Sequence, residues 1–136
     1  MVKVLEYLAV SDCGTVMNPQ LLEGQIVGGI AQGIGAALLE EYIYDEHGQL
    51  STSTFMDYLL PTSHDVPAVR VVHEETPSPF TEYGVKGGGE GGRMVAPIAL
   101  ACAVEDALRP FGVRVDELPM TPERIVNWIE AAGQSR

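Results

Sequence analysis

An apolar repeat interrupted by glycine, in residues 19–41, constrains the fold more than any other feature of the sequence. Five apolar residues recur at every fourth position, which is the spacing of one helix face: Leu22, Ile26, Ile30, Ile34 and Leu38. Asn18 followed by Pro19 is a typical helix start, because asparagine can cap the helix and proline fits its first turn. The pattern predicts a helix from Pro19 to about Glu41.

Five glycines lie in the same segment, although each lowers helix stability by up to about 1 kcal/mol: Gly24, Gly28, Gly29, Gly33 and Gly35. They would leave a groove without side chains, where another backbone or a flat ligand could approach closely. The sequence leaves both alternatives open. Gln25 and Gln32 lie beside this groove and are candidates for hydrogen bonds to a ligand.

The rest of the chain predicts an α+β fold in which a small, mostly antiparallel sheet packs with three to four helices. Strand-forming residues cover 2–11 and 68–75, and a hairpin is predicted over 42–53. Helices are predicted over 96–112 and 121–132, the second with Thr121 as its N-cap. Without internal repeats or linkers, residues 1–136 are predicted to form a single domain.

A second glycine cluster surrounds one acidic residue, Glu90. The glycines are Gly87, Gly88, Gly89, Gly91 and Gly92. A phosphate-binding loop is excluded because no lysine followed by serine or threonine ends the cluster, and glycine excess makes a dinucleotide fingerprint uninformative. Two interpretations remain: a flexible linker, and a carboxylate on a bare loop that a bulky cofactor and substrate can approach closely.

Composition and charge limit the classes of binding partner and the cellular compartment that we expect for this protein. A net charge of −11, from 19 acidic and 8 basic residues, argues against non-specific binding to nucleic acid or to anionic membranes. The most apolar stretch spans residues 24–39 and is shorter than the roughly 20 residues of a membrane crossing. Cys13 and Cys102 lack the spacing of a metal site, and no secretion signal is evident. We therefore expect a cytoplasmic protein with reduced thiols and no metal ligands.

Four segments together resemble a known family in order and spacing: DCGTVMNPQLLEGQIVGGIAQGIGAALLEE, FMDYLLPT, TPSPFTEYGVKGGGEGG and TPERI. They resemble the C-terminal part of the molybdopterin-binding large subunit of the molybdenum hydroxylases. This family includes xanthine dehydrogenase, aldehyde oxidoreductase and aerobic carbon monoxide dehydrogenase, and the match is closest to the carbon monoxide dehydrogenase-like branch.

The resemblance implies a role for individual residues. Glu90 falls on the family's glutamate, the base that deprotonates metal-bound water or hydroxide before it attacks a substrate carbon. The implied cofactor is molybdenum-molybdopterin in its cytosine dinucleotide form, with Gln25 on the pterin and Asp12, Cys13 and Asn18 towards the nucleotide tail. The residues expected at the cofactor are Gln25, Gly24, Gly87, Gly88, Gly89, Asp12 and Asn18.

The resemblance also implies that the chain is one piece of an active site, as a natural split subunit or an excised segment. The expected partners are the rest of the large subunit, iron–sulfur and flavin subunits, and a small substrate such as an aldehyde or heterocycle. Alone, the chain is expected to be nearly inactive and to self-associate. Gly88 stands where relatives often have a larger residue, which predicts a looser loop. Arg93 stands where many relatives have a small residue. A non-catalytic scaffold that retains the fold is the alternative.

Overall fold

A β-α-β unit followed by two further helices makes up the fold, and the computed structural model describes residues 2–134. The elements in chain order are β1 (Glu6–Asp12), α1 (Pro19–Leu38), β2 (Ala68–Glu74), α2 (Gly91–Leu108) and α3 (Pro122–Gln134). Single 3-10 turns occupy Glu82–Gly84 and Arg109–Phe111. Three α-helices and a small sheet agree with the predicted mixture of helix and strand.

The prediction of a mostly antiparallel sheet is wrong. β1 and β2 form a two-stranded parallel pair, with Glu6 opposite Ala68 and Asp12 opposite Glu74. Parallel neighbours require a long crossover connection, and α1 provides it by carrying the chain back past the sheet. The hairpin predicted over 42–53 is reduced to one antiparallel bridge between Tyr44 and Leu50.

Local capping chemistry sets the start of α1 and of α3, as the sequence predicts. The Asn18 side chain accepts a hydrogen bond from the amide of Leu21 at 3.1 Å, and Pro19 is the first residue of α1. Thr121 Oγ1 likewise accepts from the amide of Arg124 at 3.3 Å. Helix α1 ends at Leu38, somewhat earlier than expected.

The glycines of α1 allow its backbone to touch that of α2. A Cβ atom added at Gly33 would lie 2.5 Å from Ala96 Cβ, and one added at Gly29 would lie 2.9 Å from the Arg93 amide nitrogen. From the other side, a Cβ atom at Gly92 would lie 2.3 Å from the Ile26 carbonyl oxygen. Close helix packing is therefore the role of this part of the glycine repeat.

This contact also accounts for the early start of α2. The helix begins at Gly91 rather than near Ala96, and Pro97 lies inside it. Two leading glycines and an internal proline are locally unfavourable to a helix. Because Gly92 lies against the α1 backbone, tertiary packing supports a turn that local sequence preferences disfavour.

The hydrophobic core lies between α1, α2 and the segment that leads into α3. Its buried residues include Ile26, Ile30, Ile34, Leu100 and Met120. Helix α1 has the length and mean hydropathy, 1.2, of a membrane-spanning helix. The same composition is typical of a core helix, and here its isoleucines are buried within the domain.

Asp12 joins the carboxyl ends of the two strands. Its carboxylate accepts hydrogen bonds from the amides of Gly14 and Thr76, at 2.9 and 3.2 Å, and from the Thr76 hydroxyl. Lys86 Nζ lies 3.0 Å from the same carboxylate. The hydrogen bonds from Thr76, Gly14 and Lys86 hold the pKa of Asp12 well below its ordinary range.

The helix contact generates a test with a matched control. Gly92→Ala places a methyl group against the α1 backbone, which no rotamer change can relieve, so we expect a loss of about 1–3 kcal/mol in the free energy of unfolding. Gly28→Ala adds a methyl group where no atom lies within 4 Å. It should stabilise the chain by up to about 1 kcal/mol. Urea denaturation measures both, and equal effects would contradict the packing described.

Asp12 generates a second prediction, on acid stability. Its folded-state pKa is lower than the unfolded value of about 3.9. Its stabilising contribution is therefore complete above that pH and is lost as the pH falls, since the unfolded carboxyl binds a proton first. Between pH 5 and 3, urea midpoints should fall more steeply for the wild type than for Asp12→Asn. Asp116→Asn, which alters an exposed acid, should follow the wild type; parallel curves for all three would refute the assignment.

Candidate functional site

The loop that carries Glu90 is tethered at both ends of its glycine run. At the start, the Lys86 amide donates to the Cys13 carbonyl at 2.9 Å. At the end, Gln25 Nε2 donates to the Gly89 carbonyl at 3.2 Å, which connects the loop to α1. The glycine run therefore lies between the end of β1 and the first turns of α1.

The three glycines between these tethers differ in their surroundings. A Cβ atom at Gly88 would lie 2.6 Å from Leu22 Cδ1 and 3.3 Å from Cys13 Sγ. Gly88 is thus packed, although the sequence led us to expect a looser loop there. At Gly87 and Gly89 an added Cβ atom would meet nothing within 4 Å. These two positions leave bare backbone on the outer surface of the loop.

Glu90 immediately precedes α2 and is exposed. Its carbonyl accepts the first helical hydrogen bonds, from the amides of Arg93 and Met94 at 3.0 and 3.2 Å. Its side chain does not cap the helix, and within residues 2–134 its carboxylate has no hydrogen bond or ion pair. An unpaired, accessible carboxylate of this kind is able to accept a proton.

An open cleft of about 410 Å³ lies beside this loop, between it and the start of α1. Five predicted site residues line the cleft together: Cys13, Asn18, Gln25, Gly88 and Gly89. Asp12, Gly24, Gly87 and Glu90 are not among the lining residues. Gly24 is exposed on α1, next to Gln25, and Glu90 follows the lining residue Gly89. The cleft therefore brings five of the predicted residues together, whereas Asp12 belongs to the hydrogen-bond cluster of the strand ends.

Lys86 is the site residue to which the sequence assigned no role. It lines the cleft and also bonds to Asp12 and Thr76. The one indication of a role for Lys86 in the sequence is its position directly before the glycine run. The partners lie 74 and 10 residues away in the chain, so the pattern could not reveal them.

The cleft suits the organic part of a flat, polar cofactor. Its wall combines exposed loop backbone with the Gln25 amide, whose oxygen remains free to accept a hydrogen bond. Across the described part of the chain, no group of three or more His, Cys, Asp or Glu side chains could hold a metal ion. The residues present therefore fit contacts to a cofactor's organic ring and tail.

Asp57 and Tyr58, which the sequence left between a substrate contact and a structural turn, make local contacts. Asp57 accepts a hydrogen bond from the Thr54 hydroxyl at 2.6 Å. Tyr58 stacks on Tyr42 and donates to the Glu40 carboxylate at 2.6 Å, which raises the pKa of the phenol. These contacts support the structural interpretation of the segment.

Comparison with known proteins identifies the family of this chain. Residues 1–67 match the family model of the molybdopterin cofactor-binding domain. The chain is 51% identical over 125 residues to the nicotine 6-hydroxylase large subunit of Paenarthrobacter nicotinovorans, covering 92% of this chain and 15% of that protein. It is 37% identical to the carbon monoxide dehydrogenase large chain of Hydrogenophaga pseudoflava, covering 90% of this chain and 15% of the relative.

A solved structure extends the likeness to three dimensions. Quinoline 2-oxidoreductase from Pseudomonas putida 86 superposes with a TM-score of 0.92 and 54% identity, covering 94% of this chain and 16% of that one. The chain thus spans about one sixth of the length of these relatives. It belongs to the molybdenum hydroxylase family, and it corresponds to a portion of the molybdopterin-binding large subunit.

Proposed function

We propose that this chain supplies part of the molybdopterin-binding surface and the general base of an oxidoreductase. The enzyme would hydroxylate its substrate with oxygen derived from water. The observation that carries the proposal is the unpaired carboxylate of Glu90, one residue beyond the Gly89 carbonyl that Gln25 holds at the edge of the cleft. A scaffold that had lost the chemistry would have no use for this arrangement.

The chain's own residues would divide the work between binding and proton transfer. Gln25 and the bare backbone at Gly89, both in the cleft wall, would hold the pterin together with Gly87, which lies just outside that wall. Cys13 and Asn18 would face its tail, which we propose is a cytosine dinucleotide. When bound, the molybdenum cofactor supplies the redox chemistry by taking up two electrons from the substrate.

Hydroxylation of a carbon by water releases two electrons and two protons. Glu90 accepts one proton of the water at a carboxylate oxygen as the water-derived oxygen bonds to the substrate carbon. The C–H bond at that carbon breaks, its electron pair being the two electrons released, and the second proton passes to solvent. General-base catalysis of this kind contributes about 10²–10⁴-fold to a rate. The free carboxylate and the glycines around it, which leave room for a bulky reactant, favour this role for Glu90.

The substrate that we propose is an aromatic nitrogen heterocycle. The relatives whose names specify quinoline or nicotine are 54% and 51% identical to this chain. Those named for carbon monoxide or xanthine are 37% identical among the curated relatives. Since this chain contains only part of the active site, the likeness supports a substrate class and not a single compound.

The large exposed surface of the chain supports the proposal that it packs against an extensive partner. The chain exposes 9433 Å², whereas a compact monomer of 14.6 kDa exposes about 6,900 Å². Phe55, Met56 and Phe80 are 88% to 94% exposed. We propose that the rest of the large subunit covers this surface, within a cytoplasmic complex that also contains iron–sulfur and flavin subunits.

Glu90 is tested in the assembled enzyme that contains this chain. Glu90→Gln should lower kcat by about 10²–10⁴-fold, because it removes the proton acceptor. Molybdenum content should stay unchanged. Glu82→Gln, which neutralises an exposed acid eight residues earlier, is the matched control and should keep full activity. An active Glu90→Gln enzyme would exclude Glu90 as the base and favour the scaffold alternative.

Gln25 gives a separate test of the binding surface. Gln25→Ala removes the bond to Gly89 and the proposed pterin contact, a loss of about 0.5–1.5 kcal/mol for each hydrogen bond. We expect a lower molybdenum and pterin content of the purified enzyme, measured by elemental analysis and pterin fluorescence. Gln20→Ala, in the exposed first turn of α1, should retain full cofactor. Equal cofactor content in both variants would refute the assignment.

A further inference from the structure

A three-membered polar cluster lies where the two strand ends meet the glycine loop. Lys86 Nζ is 3.0 Å from the Asp12 carboxylate and 2.5 Å from the Thr76 hydroxyl, which itself donates to Asp12. The side chains of Lys86 and Asp12 are 36% and 32% exposed. Asp12 also accepts two backbone amides, so the anion to which Lys86 binds is itself fixed.

This cluster fixes the residue from which the glycine loop departs. The Lys86 backbone is bound to the Cys13 carbonyl, and its side chain is bound to the strand ends. Lys86 is therefore held through both its main chain and its side chain. Four positions later the chain reaches Glu90.

Two of the three glycines between Lys86 and Glu90 have no packing contact that would hold the loop in place if Lys86 moved. Gly87 and Gly89 have nothing within 4 Å of an added Cβ atom, and glycine adopts more backbone conformations than any other residue. The packing of α2 against α1 fixes the backbone that follows Glu90. The path of the loop that precedes Glu90 depends on the packed Gly88 and on the anchors at the two ends of the run. Gln25 provides one anchor and Lys86 the other.

We propose that Lys86 is a positioning residue for Glu90, which it holds in place through Asp12 and Thr76. The inference rests on the proposed function of Glu90 as the base. Asp12 supports it, because the low pKa of this carboxyl keeps the ion pair intact over the neutral and mildly acidic range. Lys86 also lines the cleft, so direct contact with a ligand is the competing role that the experiment must separate.

The experiment measures kcat, KM and molybdenum content of the assembled enzyme. Lys86→Met should lower kcat about tenfold, because small misplacements of catalytic groups reduce rates strongly. KM should stay within about twofold of the wild-type value and molybdenum content should be unchanged. Lys86→Arg should recover part of the rate, and Lys3→Met, at the chain's other lysine, should match the wild type. A loss of molybdenum in Lys86→Met would overturn the proposal in favour of ligand contact.

Two double variants test whether Lys86 acts through its named partners. Asp12→Asn should lower kcat like Lys86→Met, and combining the two should lower it no further, because both break the same tether. In a Glu90→Gln background, Lys86→Met should have no additional effect on the residual rate. An undiminished tenfold effect there would overturn the positioning role.

Amide hydrogen exchange supplies a readout that does not require activity. Amides of residues 87–92 should exchange faster in Lys86→Met than in Lys3→Met, and unchanged exchange would refute the tether. The failures of the two proposals remain distinguishable. If Glu90→Gln is fully active, the proposed function fails. If Glu90→Gln is inactive but Lys86→Met has normal kcat, only the positioning role fails.

Discussion

Where α1 passes α2, the two backbones touch because glycine removes the side chains that would separate them. The Gly92 backbone lies against the Ile26 carbonyl. On α1, Gly29 packs against Arg93 and Gly33 packs against Ala96. This contact brings the first turn of α2 beside α1. Glu90, the residue before that turn, is thereby brought near the first turns of α1, where Gln25 binds the carbonyl of the preceding residue, Gly89. The position of the candidate base thus follows from the packing of two helices.

The same segment of α1 contains glycines that serve no packing purpose. Gly24 and Gly28 resemble Gly87 and Gly89 in having open space where a Cβ atom would be. One glycine-rich sequence therefore produces two surfaces, one buried against a helix and one left bare. The two alternatives that the sequence leaves open, helix packing and ligand approach, apply to different glycines: packing describes Gly29 and Gly33, and Gly24 and Gly28 retain the space that ligand approach requires.

Sequence reasoning succeeds here where the cause is local and fails where it is distant. Asn18 and Thr121 cap their helices through residues three positions away, so the two helix starts could be predicted. The parallel pairing of β1 and β2 depends on where a connection of more than fifty residues returns. Local composition could not show this. The grouping of site residues came from the family resemblance, and the bond between Lys86 and Asp12, 74 residues apart, was beyond both approaches.

Gly88 fits beneath Leu22 with no space left for a methyl group. The residue at position 88 of the loop and the side chain at position 22 of α1 therefore compete for the same space. A larger residue at position 88 is compatible with this backbone only if the side chain at position 22 becomes shorter or adopts another rotamer. The two positions are therefore expected to vary together among related sequences. Libraries that randomise both at once should recover functional pairs that randomisation of either alone would miss.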